Sequence, residues 1–414
     1  MRILLIPNTT CSKDFLKIYF ELKKNHGAKI LIWHNQLNKI FKKISAKNKI
    51  IYKNNLYWNM DNYHKKMNSM NFFEKLFLVR NEIKWAKQLF NLNNFKTVVT
   101  FGDRETSLNL SILKISKIYR SKVFININFR SGDNNDMINR RVKKRNYQLL
   151  NKYNPIRLLL KNQFKSYTKY SYVSFYNLLD NFIYLALNIL PKNPWVIGGG
   201  NSDYVFVENK YVKNDYIKLG CRKNKLLLAH SLDSENINNS LIKKKNKSNK
   251  LMLLISQLSE HGDRPINDNL IKIDKLCSFI KKINNKFNLK IIISLHPKQK
   301  FETYKWIEKK YKFKILKEKF SKNIIDCRYI VSEIPSSIID WAIIFNIKYI
   351  VADVNNFTFK IRKNFKKFHF TNFLKIEKYI IKEENKKNKF LTINRSYFKF
   401  HKKKIDLIEK LSSK

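Results

Sequence analysis

The sequence predicts an α/β protein made of two doubly wound domains that face a cleft. Short apolar runs alternate with longer amphipathic stretches in both halves of the 414-residue chain. This alternation is typical of parallel, Rossmann-like sheets covered by helices. A polar, core-poor stretch at 230–250 separates the halves as a linker would. We therefore expect an N-terminal α/β domain over 1–230 and a C-terminal α/β domain over 251–414.

The first half predicts five strands with helices between them. The strands are apolar runs bounded by polar or turn-forming residues, at 2–7, 29–34, 97–103, 122–129 and within 195–209. The helices are amphipathic stretches at 12–25, 72–92, 105–118 and 210–219. The segment near 143–192 is basic and aromatic without a clear sheet period, so we expect an inserted helical pair there.

A glycine run, Gly198–Gly200, precedes the last strand of this half. It lacks the GxGxxG and GxxxxGK(S/T) spacings with which glycine loops hold phosphates. We therefore interpret it as a flexible turn.

The second half repeats the alternation. Its predicted strands are again short apolar runs, at 251–257, 290–297, 313–316, 327–333 and 348–353. Its predicted helices lie at 268–284, 304–311 and 335–346. The remaining sequence, from 368 to 411, predicts helices that close the second domain.

The formal net charge of +53 admits three interpretations. Lys, Asn and Ile are spread evenly, which favours compositional drift over solvated faces. Contact with anionic lipid is the second interpretation, and nucleic-acid binding is the third. No basic helix or aromatic–basic RNA motif stands out, so no nucleic-acid partner is expected.

The cysteines and the apolar segments indicate a cytoplasmic protein. The four cysteines lack the spacing of a metal site or a disulfide framework, so we expect a reducing compartment and no metal. The start, "MRILLIPNTT", predicts a buried strand rather than a signal peptide. The apolar stretch 178–190 is short and contains Asp180, so we expect any membrane contact to be peripheral, at the inner face.

Two polar elements at strand ends of the second half predict a phosphate site. His296 and Pro297 follow one strand, and "SEIPSS" follows another, with Ser336 or Ser337 opening a helix. Free N–H groups and hydroxyls at such a helix start attract anions. Each element alone is an ordinary turn or cap. Together, at the ligand-binding edge of one sheet, they predict a phosphate clamp.

Asp103 is the first candidate for a general base. It follows Gly102 at the end of a predicted strand. A carboxylate at a ligand-binding sheet edge can take the proton of a substrate hydroxyl. The alternative role of Asp103 is to cap the helix that begins near Glu105.

Other loops carry further candidates. Glu260 and His261 are alternative acid/base groups, or they contact the donor phosphate together with Arg264. Arg130 and Asp133, in the turn "RSGD", are candidates for binding the acceptor or sugar, since an Arg fork clamps anionic groups.

The His-Pro and Ser-Ser elements resemble those of GT-B-type glycosyltransferases of bacterial surface polysaccharide synthesis, including sialyltransferases and capsule transferases. "PSSIIDWAIIFNIKYIVAD" is similar to their stretch in which a Ser-Ser pair opens a helix that leads into a buried strand. The resemblance implies a GT-B-like fold whose C-terminal domain binds a nucleotide sugar. It assigns the donor phosphates to His296, Ser336 and Ser337.

The first half resembles UDP-N-acetylglucosamine 2-epimerases in the order of "VVTFGDRETS", "FININFRSGD" and "DMINRR". Two departures argue against a working epimerase. Asn126 or Asn128 stands where those enzymes carry a glutamate, and "SQLSEHGDRP" lacks their His-Arg-Arg-Glu-Asn order.

These observations predict a glycosyltransferase that moves a sugar from a nucleotide-activated donor to a cell-surface glycan such as capsule or O-antigen. The chain contains no Asp-x-Asp pair, which metal-dependent transferases commonly use, so we expect metal-independent transfer without a cofactor. The expected partners are a nucleotide sugar, a glycan or lipid-linked acceptor in the N-terminal domain, and an anionic membrane. The alternatives are a sugar-nucleotide epimerase or hydrolase, and a non-catalytic glycan- or lipid-binding relative.

Overall fold

The structure, a computed structural model, divides into two compact units, residues 1–235 with 400–414 and residues 236–399. The residues that it describes are 1–8, 12–58, 66–67, 69–126, 138, 141–142, 145–149, 155–168, 171–208, 210–229, 249–256, 265–296, 299–316, 323–324, 327–334, 338–354, 368–385 and 402–413.

Unit 1 is built on a seven-stranded parallel sheet. The strands of this unit, in chain order, are β1 (Arg2–Ile6), β2 (Gly27–Ile32), β3 (Lys49–Ile51), β4 (Thr97–Thr100), β5 (Lys122–Asn126), β6 (Gln148–Leu149), β7 (Phe164–Ser166), β8 (Tyr172–Ser174), β9 (Tyr204–Val207) and β10 (Leu226–Leu228). The sheet has the order β3-β2-β1-β4-β5-β9-β10, and every strand pair is parallel. The order therefore reverses between β1 and β4, as in Rossmann folds.

Amphipathic helices connect these strands. They are α1 (Ser12–Leu22), α2 (Asn35–Ile40), α3 (Asn55–Trp58), α4 (Phe72–Asn93), α5 (Ser107–Ile118), α6 (Pro155–Leu159), α7 (Leu178–Ala186) and α8 (Lys210–Lys218). Helix α1 buries Phe15, Ile18 and Leu22 at helical spacing in the core that also holds the strands β1 and β2.

The insertion between β5 and β9 differs from the predicted helical pair. It contains short helices, but its centre is a small antiparallel sheet with the order β6-β8-β7. Strand β8 buries Val173 completely against Trp195 and other aromatic residues. Strands of two or three residues are too short to show the alternation of apolar and polar residues that identifies a strand, so the sequence pattern suggested helices instead.

Unit 2 carries a six-stranded parallel sheet. Its strands are β11 (Lys250–Ile255), β12 (Lys290–Leu295), β13 (Lys314–Ile315), β14 (Tyr329–Ser332), β15 (Lys348–Ala352) and β16 (His369–Phe370). Its helices are α9 (Ile266–Phe287), α10 (Phe301–Tyr304), α11 (Trp306–Tyr311), α12 (Ile338–Ile344) and α13 (Phe373–Glu384). The order β13-β12-β11-β14-β15-β16 is the Rossmann order 3-2-1-4-5-6, with its reversal between β11 and β14.

Both faces of the unit 2 sheet are buried. Leu251 and Leu253 of β11 lie in a core with helix α9, whereas Met252 and Leu254 lie in a second core with helix α12. Successive strand residues point to opposite faces, so helices cover both sides of this sheet. The predicted fold class, two Rossmann-like α/β domains, is confirmed.

The C-terminal segment differs from the prediction for the second domain. Residues 400–414, with helix α14 (Lys404–Ser412), belong to unit 1 rather than closing unit 2. Leu407 and Ile408 enter the unit 1 core, and Lys402 pairs with Ala229 beyond β10. The apolar face of α14 would suit either unit, so the sequence pattern alone did not assign it.

No helix among the residues that the structure describes is long and apolar enough to cross a membrane.

Candidate functional site

A chain of hydrogen bonds joins three strand ends at the carboxyl edge of the unit 2 sheet. The Ser256 N–H, just after β11, donates to Glu333 Oε2, just after β14, at 3.3 Å. The Ser256 carbonyl accepts from Gln299 Nε2 at 3.1 Å, and Gln299 Oε1 accepts from the His296 N–H at 2.7 Å. These residues lie where the strand order reverses, the edge at which open α/β sheets bind ligands.

Gln299 fixes the turn that carries His296. Its backbone N–H donates to the His296 carbonyl at 2.8 Å, and its side-chain amide also donates to the Tyr304 hydroxyl at 3.0 Å. Gln299 is buried, whereas His296 is half-buried. The sequence analysis did not select Gln299. The signal that it overlooked was a side-chain amide three residues after His296, within reach of the His296 backbone N–H.

The strand end at β14 is likewise closed by its own side chains. Ser332 Oγ donates to the Ile334 carbonyl at 2.8 Å and lies 2.9 Å from the Tyr349 hydroxyl. Glu333 is buried, with 4% of its surface exposed. The strand ends at Ser332, within the predicted run 327–333.

Most of the predicted site residues lie outside the described residues. These are Arg130, Asp133, Glu260, His261, Arg264, Pro297, Ser336 and Ser337. Their roles therefore stay predictions. Asp103 belongs to unit 1 and His296 to unit 2, and each lies at the carboxyl edge of its own sheet.

Asp103 is enclosed by hydrogen-bond donors at the reversal point of the unit 1 sheet. Its Oδ1 accepts from the Gly198 N–H at 3.2 Å, and its Oδ2 accepts from the Gly200 N–H at 2.9 Å and Ser202 Oγ at 3.0 Å. The side chain is buried. Three of roughly four acceptor positions of the carboxylate are thus occupied, which suits a positioning role. The assignment of Asp103 as the general base stays a prediction.

The glycine run is a tightly packed loop rather than the expected flexible turn. A Cβ on Gly199 would lie 2.1 Å from the Asn193 carbonyl oxygen, and one on Gly200 would lie 2.7 Å from the Asp103 carbonyl oxygen. Gly198 has a φ of +90°, in the region that favours glycine. Lys225 Nζ donates to the Gly198 carbonyl at 3.0 Å from the other side. The three glycines therefore allow the loop to pack closely, and the lack of a side chain at Gly200 allows the close approach of Asp103.

Glu105 is an exposed residue on the same strand-end loop, and burial of its carboxyl group raises the pKa of that group. The sequence analysis used it only to mark a helix start. In the structure the helix α5 begins at Ser107, with Thr106 as its cap, and Asp103 is not the cap. The Glu105 carboxylate folds back towards Gly102, whose added Cβ would lie 3.0 Å from Glu105 Oε1.

The end of β5 carries a buried polar group. Asn126, at one of the positions where the epimerase resemblance expects a glutamate, donates through Nδ2 to Asp14 Oδ2 at 3.4 Å. The same oxygen accepts from Lys404 Nζ at 2.7 Å. All three side chains are buried. Asn126 thus supports a fixed ion pair.

Within the described part of the chain, no three His, Cys, Asp or Glu side chains group as metal ligands would.

Comparison with known proteins adds remote structural likenesses. Neither a protein-family model nor a curated protein sequence matches this chain. A UDP-GlcNAc 2-epimerase from Neisseria meningitidis bound to UDP-GlcNAc is 13% identical, with a TM-score of 0.47 over 99% of this chain and 98% of that one. A glycosyltransferase from Rickettsia africae is 12% identical, with a TM-score of 0.47 over 100% and 91%. Anabaena Alr3699/HepE, in complex with UDP and glucose, is 10% identical, with a TM-score of 0.45 over 100% and 98%. Similarities with such low sequence identities and TM-scores do not indicate the activity of this chain.

Proposed function

We propose that this protein is a glycosyltransferase that moves a sugar from a nucleotide-activated donor to a cell-surface glycan such as capsule or O-antigen. One observation carries the proposal. Asp103 and the His296 hydrogen-bond network each lie at the carboxyl edge of a parallel sheet, at or beside the point where its strand order reverses. This is the position at which doubly wound sheets bind nucleotides and sugars.

Unit 2 would bind the donor. The proposed phosphate ligands are His296, Ser336 and Ser337, with Arg264 as an added cation and Pro297 holding the turn. The hydrogen bonds of Gln299 support this role for His296, because a ligand-binding ring needs a fixed backbone. We propose metal-independent transfer, in which these groups neutralise the leaving phosphate.

Unit 1 would bind the acceptor, with Arg130 and Asp133 as sugar contacts. In the transfer step a carboxylate takes the proton of the acceptor hydroxyl, whose oxygen forms a bond to the anomeric carbon of the donor sugar. The bond from that carbon to the donor phosphate breaks, and its electron pair leaves with the nucleotide. Two carboxylates on one loop compete for the role of base. One is Asp103, which accepts a hydrogen bond from the Gly200 N–H, and the other is Glu105, whose pKa burial raises.

A nucleotide panel tests this proposal. We expect one of CMP, UDP, GDP or CDP to raise the melting temperature by about 3 °C or more at saturation, since a ligand at 100 times its Kd stabilises by about 2.7 kcal/mol. Ser336→Ala/Ser337→Ala should abolish this shift. Ser412→Ala/Ser413→Ala, a matched Ser-Ser change in helix α14 and the residue after it, should keep it. If no nucleotide changed the melting temperature, the proposal would be wrong.

Incubation with UDP-N-acetylglucosamine alone separates transfer from epimerisation and hydrolysis. A transferase leaves the donor largely intact until an acceptor is added. Release of UDP, or of an epimer, without an acceptor would identify the alternative enzyme. Nucleotide binding that survives both His296→Ala and Ser336→Ala/Ser337→Ala would contradict the proposed donor site.

A further inference from the structure

The insertion of unit 1 exposes leucines beside lysines. Leu158 and Leu159, at the end of helix α6, are 65% and 71% exposed, and Leu185 on helix α7 is 41% exposed. Leu159 and Leu185 line one pocket of about 210 Å³ together with Lys161 and Lys192. We call these five residues the insertion patch. It joins apolar surface and positive charge at one place.

The segment that carries the insertion patch has almost only positive charges. The sequence from 143 to 192 contains a single acidic residue, Asp180, and its carboxylate is bound by Lys75 Nζ at 2.8 Å. Lys161 and Lys192 are exposed. No carboxylate of this segment is therefore left to neutralise them.

The exposed leucines lie on a packed element. Leu160, their neighbour, is buried in a small core with Phe164. The Arg157 guanidinium lies over the Tyr172 ring, 4.6 Å from its centroid. The helix is thus anchored on one side, and Leu158 and Leu159 are exposed because they point away from that core.

We propose that the insertion patch binds the surface of an anionic bilayer. The leucines would enter the boundary between headgroups and acyl chains, and the lysines would contact lipid phosphates. The two contributions add up to reversible binding. A nucleic acid would match the lysines, but its bases are bound by aromatic stacking rather than by exposed leucines. The proposal holds whether or not the protein transfers sugars.

Co-sedimentation of the full chain with vesicles tests this proposal. We expect binding to phosphatidylcholine vesicles that contain phosphatidylglycerol, weaker binding to pure phosphatidylcholine, and a loss of binding at high salt. Leu159→Ser/Lys161→Glu should weaken binding by about tenfold or more. Leu374→Ser/Lys375→Glu makes the same changes at exposed residues of unit 2 and should leave binding unchanged.

Circular dichroism and melting of each variant show whether the fold is intact. If the leucine variant unfolds, Lys161→Glu/Lys192→Glu replaces it, with Lys375→Glu/Lys378→Glu as its control, because all four lysines are exposed. The absence of vesicle binding would overturn the proposal, and so would equal losses in the patch and control variants. Binding to single-stranded RNA that depends on the patch, without binding to vesicles, would identify a nucleic-acid surface instead.

Discussion

The Asp103 carboxylate accepts a hydrogen bond from the Gly200 N–H at 2.9 Å, which joins two loops separated by 97 residues of sequence. Ser202 Oγ and the Gly198 N–H donate to the same carboxylate. One side chain therefore holds the edge of the unit 1 sheet together, at the end of the strand β4 that borders the reversal of strand order.

Asp103→Asn should loosen this edge. The amide offers one acceptor oxygen and turns an NH₂ towards a donor, so at least one buried N–H or hydroxyl loses its acceptor. We expect the free energy of unfolding to fall by about 1–3 kcal/mol, with faster amide exchange over 193–202. Asp274→Asn, at a surface pair with Lys310, should change it by less than about 1 kcal/mol. Unchanged exchange in Asp103→Asn would contradict the anchoring role.

Glu105→Gln separates the two candidate bases. If Glu105 takes the acceptor proton, this variant should lose about 10²–10⁴-fold in kcat with an unchanged melting temperature. Asp103→Asn would then lose activity only together with stability. The measurement is transfer to acceptor by both variants beside their melting curves. Full activity in Glu105→Gln, with a loss in Asp103→Asn at unchanged stability, would return the role of base to Asp103.

Gly199→Ala should destabilise unit 1, because its Cβ would lie 2.1 Å from the backbone oxygen of Asn193. Backbone atoms cannot move aside as the end of a flexible side chain can, so we expect the free energy of unfolding to fall by about 1–3 kcal/mol. Gly27→Ala is the matched control, since its Cβ would make only ordinary contacts, with the Arg2 Cγ at 3.7 Å and the Met1 carbonyl oxygen at 4.0 Å. Urea unfolding measures both. Equal stability of the two variants would mean that the loop is not tightly packed.

The strands could be predicted from the sequence because they are buried on both faces. The predicted run 251–257 overlaps β11 (Lys250–Ile255), and the predicted run 327–333 contains β14 (Tyr329–Ser332). A parallel sheet gives continuous apolar runs, which are visible without any partner. His296 could be identified as a candidate site residue because the apolar run of β12 could be recognised, and with it the end of that strand.

Interactions between distant residues could not be predicted. The Gly198–Gly200 run looked like a flexible turn because Asp103, its acceptor, lies far away in sequence. Gln299 looked like an ordinary polar loop residue, and helix α14 showed an apolar face without showing which unit it covers. Hydrogen bonds of this kind depend on topology, which local periodicity does not encode.

Glu82 should make stability depend on pH. Its side chain is fully buried, Tyr57 donates to its Oε1 at 2.6 Å, and burial raises its pKa from 4.5 to about 8. Between these values the folded state keeps a proton that the unfolded state loses, so the free energy of unfolding falls as pH rises, by at most about 1.4 kcal/mol per pH unit.

Urea unfolding of wild type and Glu82→Gln from pH 5 to 8.5 checks this dependence. The variant should flatten the slope, whereas Glu21→Gln, at a side chain that is 37% exposed, should leave it unchanged. Burial lowers the pKa of His34 to about 4, which contributes the opposite slope below pH 6.5. The difference between wild type and variant cancels that contribution. Parallel curves for wild type and Glu82→Gln would contradict the prediction.

The ion pair between Lys404 and Asp14 should hold the C-terminal helix on unit 1. The two groups lie 2.7 Å apart, with side chains only 6% and 5% exposed, and Asn126 donates to the same carboxylate. Breaking a buried pair leaves one charge without its partner, so Lys404→Met or Asp14→Asn alone should lower the free energy of unfolding by about 3–5 kcal/mol.

The double variant should lose less stability than the two single losses added together, because it removes both charges at once. A double-mutant cycle in urea unfolding measures this difference, for which we expect about 1–3 kcal/mol. Losses that simply add would mean that the two side chains do not stabilise each other. The helix α14 would then be held by its other contacts, such as the apolar packing of Leu407 and Ile408 and the pairing of Glu409 with His26.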